Sequence, residues 1–167
     1  FGTRNGLSRY DGRQITNFEQ SNSYPSISNL KEVFDGVLAF VDNGVFSAFD
    51  LKKERFLSVV SSSGQGIPSR GMLQKNDSLV WVISGSELHL MKRCASKEGE
   101  LRLRVQEKYT GWDNQDNLLV AITYSSDKKS ICLIDEKGRI ILLDATNLSF
   151  FRVIDLGCTG SLSVNSV

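Results

Sequence analysis

The densest chemistry in this chain lies in Tyr109-Thr110-Gly111-Trp112-Asp113-Asn114-Gln115-Asp116-Asn117, an indole set among carboxylates and amides. An aromatic face stacks on the apolar side of a pyranose ring, while Asp and Asn side chains take hydroxyl hydrogen bonds. Trp112, Asp113 and Asn114 are therefore the centre of a candidate ligand-binding site. Arg70, after a Ser/Gly-rich connector, and Tyr24, beside Pro25, join it if their loops emerge on the same face. The blander role for Trp112 is to plug the gap between two layers of strands.

Other reactive groups are sparse. His89 is the single histidine, and it sits in an alternating run with Glu87 and Met91 on its own face and Leu88 and Leu90 on the other. An exposed strand histidine is the expectation, and no catalytic residue is assigned. Glycosidases of the sialidase type carry S-x-D-x-G-x-x-W; the nearest approach, Ser125-Ser126-Asp127-Lys128-Lys129-Ser130, lacks the Gly and the aromatic. The acidic run from Asp113 to Asn117 lacks the central Gly and terminal Glu of a calcium loop, so a polar turn is expected and no metal or cofactor is assigned. Cys94, Cys132 and Cys158 have no C-x-x-C spacing. Free buried thiols are expected, with one disulfide open only to an oxidising compartment.

The charge balance of 20 basic against 19 acidic residues gives no electrostatic reason to invoke nucleic acid or an anionic membrane. No window approaches the ~18 apolar residues of a spanning helix. The opening Phe-Gly-Thr-Arg has neither an initiator Met nor the order of a signal peptide, which suggests a chain cut from something longer.

The elements that must position these residues are strands. Apolar alternating or β-branched runs cover 37–41, 45–49, 55–60, 79–83, 87–91, 101–109, 118–124, 131–134, 139–143 and 150–156. Ser/Gly-rich connectors at 20–28 and 61–69 hold the only two prolines. In 101–105 strict period-two alternation puts arginines on one face and aliphatics on the other. Asn5-Gly6 and Asp11-Gly12 both favour tight turns, so the first eighteen residues read as a β-meander. That unit recurs: Asp11, Asp50, Lys92 and Asp144 occupy equivalent ends of a strand, at intervals of 39, 42 and 52 residues. Four-stranded propeller blades take about 40–50 residues. The longest interval carries an insertion at 95–99, which lengthens one hairpin. The expected architecture is all-β: three complete four-stranded propeller blades at 26–60, 70–109 and 117–156, with partial blades at 1–20 and 158–167.

The stretch Gly2-Thr3-Arg4-Asn5-Gly6-Leu7-Ser8-Arg9-Tyr10-Asp11-Gly12 resembles the two-component regulator propeller repeat, whose core reads W-I-G-T-x-x-G-L-x-x-[YF]-D. The later copies keep the period more than the motif; Trp81-Val82-Ile83-Ser84 retains the Trp and a hydroxyl. The resemblance implies the periplasmic sensor region of a hybrid two-component histidine kinase of the bacterial inner membrane. It also implies an oligosaccharide ligand, further blades in the parent chain, pairing as a homodimer, and kinase chemistry confined to parts of the parent absent from this sequence. The rivals are a propeller used as a protein-interaction scaffold and a carbohydrate-active propeller enzyme.

The repeat residues have structural roles. Gly6, Gly12, Gly44 and Gly138 supply positive φ in turns, Asp11, Asp50 and Asp144 bond turn amides, and Leu7, Val45, Leu88 and Ile140 pack between blades.

Overall fold

The computed structural model describes residues 1–3, 6–19, 26–110 and 117–157. These form strands and turns only. The first unit is a three-stranded meander of β1 (Gly2–Thr3), β2 (Gly6–Tyr10) and β3 (Ile15–Glu19). The second runs through β4 (Ile27–Phe34), β5 (Val37–Asp42), β6 (Val45–Asp50) and β7 (Arg55–Ser61). The third contains β8 (Gly71–Asn76), β9 (Leu79–Ser84), β10 (Glu87–Cys94) and β11 (Glu100–Tyr109). The fourth contains β12 (Leu119–Tyr124), β13 (Ser130–Asp135), β14 (Arg139–Asp144) and β15 (Phe150–Asp155). Within each unit neighbouring strands pair antiparallel in chain order, which makes the molecule a segment of a β-propeller. Residues 158–167, read as the start of a further blade, lie outside the described residues.

Two strands, β4 and β8, were not among the apolar runs singled out in the sequence. Each is the first strand of its unit, and polar residues interrupt its pattern: Ser28, Asn29, Lys31 and Glu32 in one, Gln74, Lys75 and Asn76 in the other.

The turn aspartates end strands as expected. Asp11 Oδ1 accepts the amides of Arg13 and Gln14 at 2.9 Å each, Asp50 Oδ1 those of Lys52 and Lys53 at 2.9 and 3.0 Å, and Asp144 Oδ1 those of Thr146 and Asn147 at 2.7 and 3.1 Å. Lys92 has no carboxylate to close such a turn, and β10 runs on to Cys94. The 95–99 insertion then does more than lengthen a hairpin. Ser58 N donates to Gly99 O (2.9 Å), Lys53 Nζ and Arg55 Nη2 reach Glu98 Oε1 at 2.7 and 3.0 Å, and Glu100–Leu103 pairs in parallel with Ser58–Ser61. The extended hairpin thereby welds the second and third units into one eight-stranded sheet along their outer edges.

Three apolar layers separate the four units. Leu7, Phe40 and Phe49 lie between the first two units, where Phe49 meets Phe18 at 4.8 Å and Phe56 at 5.2 Å between ring centroids. Val37, Ala39 and Phe46 meet Met72, Val80 and Leu103 in the next layer. Trp81, Ile83 and Leu88 meet Ile122, Ile131 and Ile141 in the third. Successive residues of β9 therefore serve opposite layers, Val80 and Val82 one way, Trp81 and Ile83 the other, and all four are buried. On the outer strand β11, Leu101 and Leu103 are buried and Arg102 and Arg104 exposed, as the alternation required.

Val45 corrects the sequence reading. It is 41 % exposed and forms a bridge with Pro68 instead of packing between units. Counting four residues back from Asp50, as Leu7 counts back from Asp11, lands on Phe46, which is buried. Leu88, four before Lys92, is buried too, and each of these three side chains faces the following unit. Ile140, four before Asp144, is half-buried on the far side of the last sheet.

A candidate ligand-binding rim

A four-stranded meander brings the chain back to the rim from which it set out, so the strand ends that bound the connectors between units lie on one rim of the propeller. The hairpin turns at 43–44, 85–86 and 136–138 share that rim, and described residues at the re-entry points into the third and fourth units lean on them. Phe46 N donates to Ile67 O and Ser69 N to Gly44 O at 2.8 Å each, Leu119 N donates to Gly85 O at 3.0 Å, and Glu136 N to Leu118 O at 2.9 Å. These backbone bonds fix where the connectors leave and re-enter the sheets.

Arg70 is the sequence-derived site residue whose surroundings are described. Its N–H donates to Ile83 O (3.0 Å) and its carbonyl accepts from Asn29 Nδ2 (3.0 Å), which ties β4 to the start of β8. Asn29 takes a left-handed φ of 53° where the β4–β5 register slips between Ser28 and Lys31, a conformation Asn tolerates better than most side chains. Behind Arg70, buried Ser69 donates Oγ–H to Gly71 O (3.3 Å), and a Cβ on Gly71 would stand 3.4 Å from Ile83 Cδ1. The backbone is thus held at several points while the side chain is exposed, and no described carboxylate lies within ion-pair distance of its guanidinium. Such a group is suited to hydroxyl or anionic acceptors.

Tyr24, Trp112, Asp113 and Asn114 lie outside the described residues. The strands that bound their connectors, β3 to β4 and β11 to β12, leave and re-enter at the rim that carries Arg70. At the foot of the second connector is a residue absent from the sequence-derived site. Asn117 is 4 % exposed and its Nδ2 has no hydrogen-bond partner among the described residues. A buried amide donor left unpaired is costly, on the order of 1–3 kcal/mol, so an acceptor from water, an ion or a ligand is expected at it. Nothing in the sequence of the polar run 113–117 marks Asn117 as a residue that packing closes over.

His89 corrects the expectation of an exposed histidine. It is 9 % exposed, because a propeller covers both faces of a sheet where a solitary sheet covers one. Its Nε2–H donates to Glu87 Oε2 (2.6 Å), and Lys108 Nζ stands 3.6 Å from the same oxygen. The His89 hydrogen bond, assisted by the Lys108 charge, holds the Glu87 carboxyl below its ordinary range.

The Ser125–Ser130 segment closes the β12–β13 hairpin on the opposite rim. Asp127 Oδ1 accepts from Ser125 Oγ (2.6 Å) and Lys129 N (3.0 Å), which holds that carboxyl low. Cys94 and Cys132 are free and half-buried, and burial raises the Cys132 thiol. Among the described residues no group of His, Cys, Asp and Glu is arranged to hold a metal ion, and no helix is long and apolar enough to cross a membrane.

No family model matches the chain, and no curated protein does. Solved structures do. The extracellular domain assigned to the one component system BT4673 from B. thetaiotaomicron is similar over 93 % of this chain and 23 % of that one, with TM-score 0.63 and 13 % identity. Dihydro-heme d1 dehydrogenase NirN, solved in complex with DHE, is similar over 87 % of this chain and 32 % of that one, with TM-score 0.54 and 16 % identity. Apo AztD from Citrobacter koseri is similar over 92 % of this chain and 42 % of that one, with TM-score 0.53 and 14 % identity. The chain thus spans less than half the length of each. At these identities the likeness is one of fold, shared by proteins of different function.

Proposed function

We propose that this chain is part of the ligand-sensing, extracytoplasmic propeller of a membrane-anchored two-component signalling protein, and that it binds an oligosaccharide at the connector rim. The observation that carries the reading is the placement of Arg70: a guanidinium with no ion-pair partner among the described residues, on a backbone held by hydrogen bonds to Ile83 and Asn29, at the rim where the connectors holding Tyr24 and Trp112, Asp113 and Asn114 begin and end. The repeat resemblance at residues 2–12 and the likeness to a sensor's extracellular domain over 93 % of the chain support the signalling role. Kinase chemistry belongs to the parent protein. Trp112 stacks on a sugar ring, while Arg70, Asp113, Asn114 and the free amide of Asn117 take its hydroxyls.

Further blades of the parent complete the ring. The far side of the last sheet supports this, because it aligns Ala121, Ile134, Ile140 and Ile154 in one cross-strand row, and Ile140 occupies the position that faces the following unit in the three earlier copies. Ligand binding biases the arrangement of two paired propellers, which requires different affinities for the two arrangements.

The test is thermal denaturation of the parent extracytoplasmic region against a panel of glycan oligosaccharides. A ligand that binds only the folded state raises its stability by about 2.7 kcal/mol at a hundred times its Kd. The expected result is a stabilising oligosaccharide whose effect is lost in Trp112→Ala and reduced in Arg70→Ala. A well-folded protein that responds to no glycan would instead favour an interaction scaffold.

A further inference from the structure

The opposite rim carries a cleft between the third and fourth units, of about 460 Å³ and lined by Gln74, Lys75, Asn76, Tyr124, Lys128, Ala145 and Thr146. Its walls come from the end of β8 and from the turns that follow β12 and β14, all bound within complete four-stranded units. None of the lining residues is acidic, and two are lysines. Neither Lys75 nor Lys128 has a carboxylate within ion-pair distance among the described residues, whereas Lys52, Lys53 and Lys108 each do. Of the turn carboxylates next to these residues in sequence, Asp127 is bonded to Ser125 and the Lys129 amide and Asp144 to the amides of Thr146 and Asn147, while Asp77 follows Asn76 in an exposed turn and does not line the cleft.

The cleft is also built. Lys75 Nζ sits 4.8 Å from the centroid of the Trp81 ring, so a cation–π contact with a fully buried indole holds this ammonium in place. Tyr124, which lines the cleft, donates its hydroxyl proton to Gln74 O (3.2 Å), bridging the two units behind the lysines. Lys128 is held by its turn, where its amide donates to Ser125 O (2.9 Å) at a φ of 57°. Lys75 and Lys128 thus bring two positive charges to one concavity, a setting that favours an anion.

We propose that this cleft binds a small oxyanion-bearing molecule, a carboxylate, sulfate or phosphate, through Lys75 and Lys128 with the phenol of Tyr124 as an aromatic wall. The site lies on the rim opposite Arg70 and is independent of the oligosaccharide reading. Isothermal titration of the protein with inorganic sulfate, inorganic phosphate and D-glucuronate, and with neutral glucose as the reference, tests it. At least one of the three anions is expected to bind saturably while glucose does not. The double substitution Lys75→Gln/Lys128→Gln weakens that binding by about tenfold or more. Lys75→Arg/Lys128→Arg keeps it, and Lys137→Gln, on another exposed turn, leaves it unchanged. Circular dichroism confirms that each variant is folded. Absence of saturable binding by all three anions overturns the proposal, as does binding that survives the double Gln substitution or falls equally in Lys137→Gln.

Discussion

Asp135 has no exposed surface, yet its carboxylate is fully used: Oδ1 accepts the amides of Lys137 and Arg139 at 3.0 and 2.9 Å, and Oδ2 accepts Arg139 Nε at 2.8 Å. Removing it takes the acceptor from two turn amides and from Arg139 Nε. Asp135→Ala is expected to lower stability by about 3 kcal/mol in urea unfolding, and Asp135→Asn by less, because an amide oxygen still serves the turn. Glu87 sets an acid limit of its own. Its folded pKa is depressed by the His89 hydrogen bond, so its contribution is complete above the unfolded carboxylate value of about 4.3 and is lost as pH falls through the lower folded value. Its partial exposure screens the effect. Thermal midpoints recorded down to about pH 3 should therefore decline less steeply in Glu87→Gln than in the parent chain below about pH 4. An equal decline in both would show that other carboxylates govern the acid limb.

At the scale of elements, β11 is the informative strand. It is the outermost strand of its unit, so one face packs against the neighbouring unit and the other meets solvent. Leu103→Ala should cost about 3 kcal/mol through lost burial and the cavity left behind, whereas its neighbour Arg104→Ala should change stability by less than about 0.5 kcal/mol. Comparable losses at both positions in urea unfolding would mean that the edge is not one-sided. The same strand shows why the absence of one turn carboxylate matters. With Lys92 in the aspartate's place the hairpin continues; its extra residues carry Glu98 to Lys53 and Arg55, and Glu100–Leu103 beyond them pairs with β7.

At the scale of the molecule, the units stack so that each apolar layer needs two sheets. Ile140 and Ile141 are adjacent in β14 but face opposite ways: Ile141 is buried in the layer shared with the third unit, and Ile140 is half-buried on the far side. In this chain Ile141→Thr should cost about 2–3 kcal/mol and Ile140→Thr under about 1 kcal/mol, measured by chemical denaturation. In the parent protein the Ile140→Thr cost should rise toward that of Ile141→Thr if a following blade covers that side. An unchanged cost there would count against such a blade.

The strands, their period and the turn aspartates were legible in the sequence because each rests on local physics. Alternation at period two, Asn-Gly and Asp-Gly turns, and a carboxylate two and three residues ahead of free amides require no knowledge of the rest of the chain. The one-sided exposure of Arg102 and Arg104 followed for the same reason. Properties that depend on what a second sheet covers were not legible. Burial of His89, closure over Asn117 and the exposure of Val45 are decided by neighbours tens of residues away in sequence, as are the polar inner strands β4 and β8. The shared rim of the connectors and the convergence of Lys75 and Lys128 on one cleft likewise arise only when consecutive meanders stack face to face. Sequence alone determined the repeating unit; tertiary structure decided which of its side chains are enclosed and which are left free to bind.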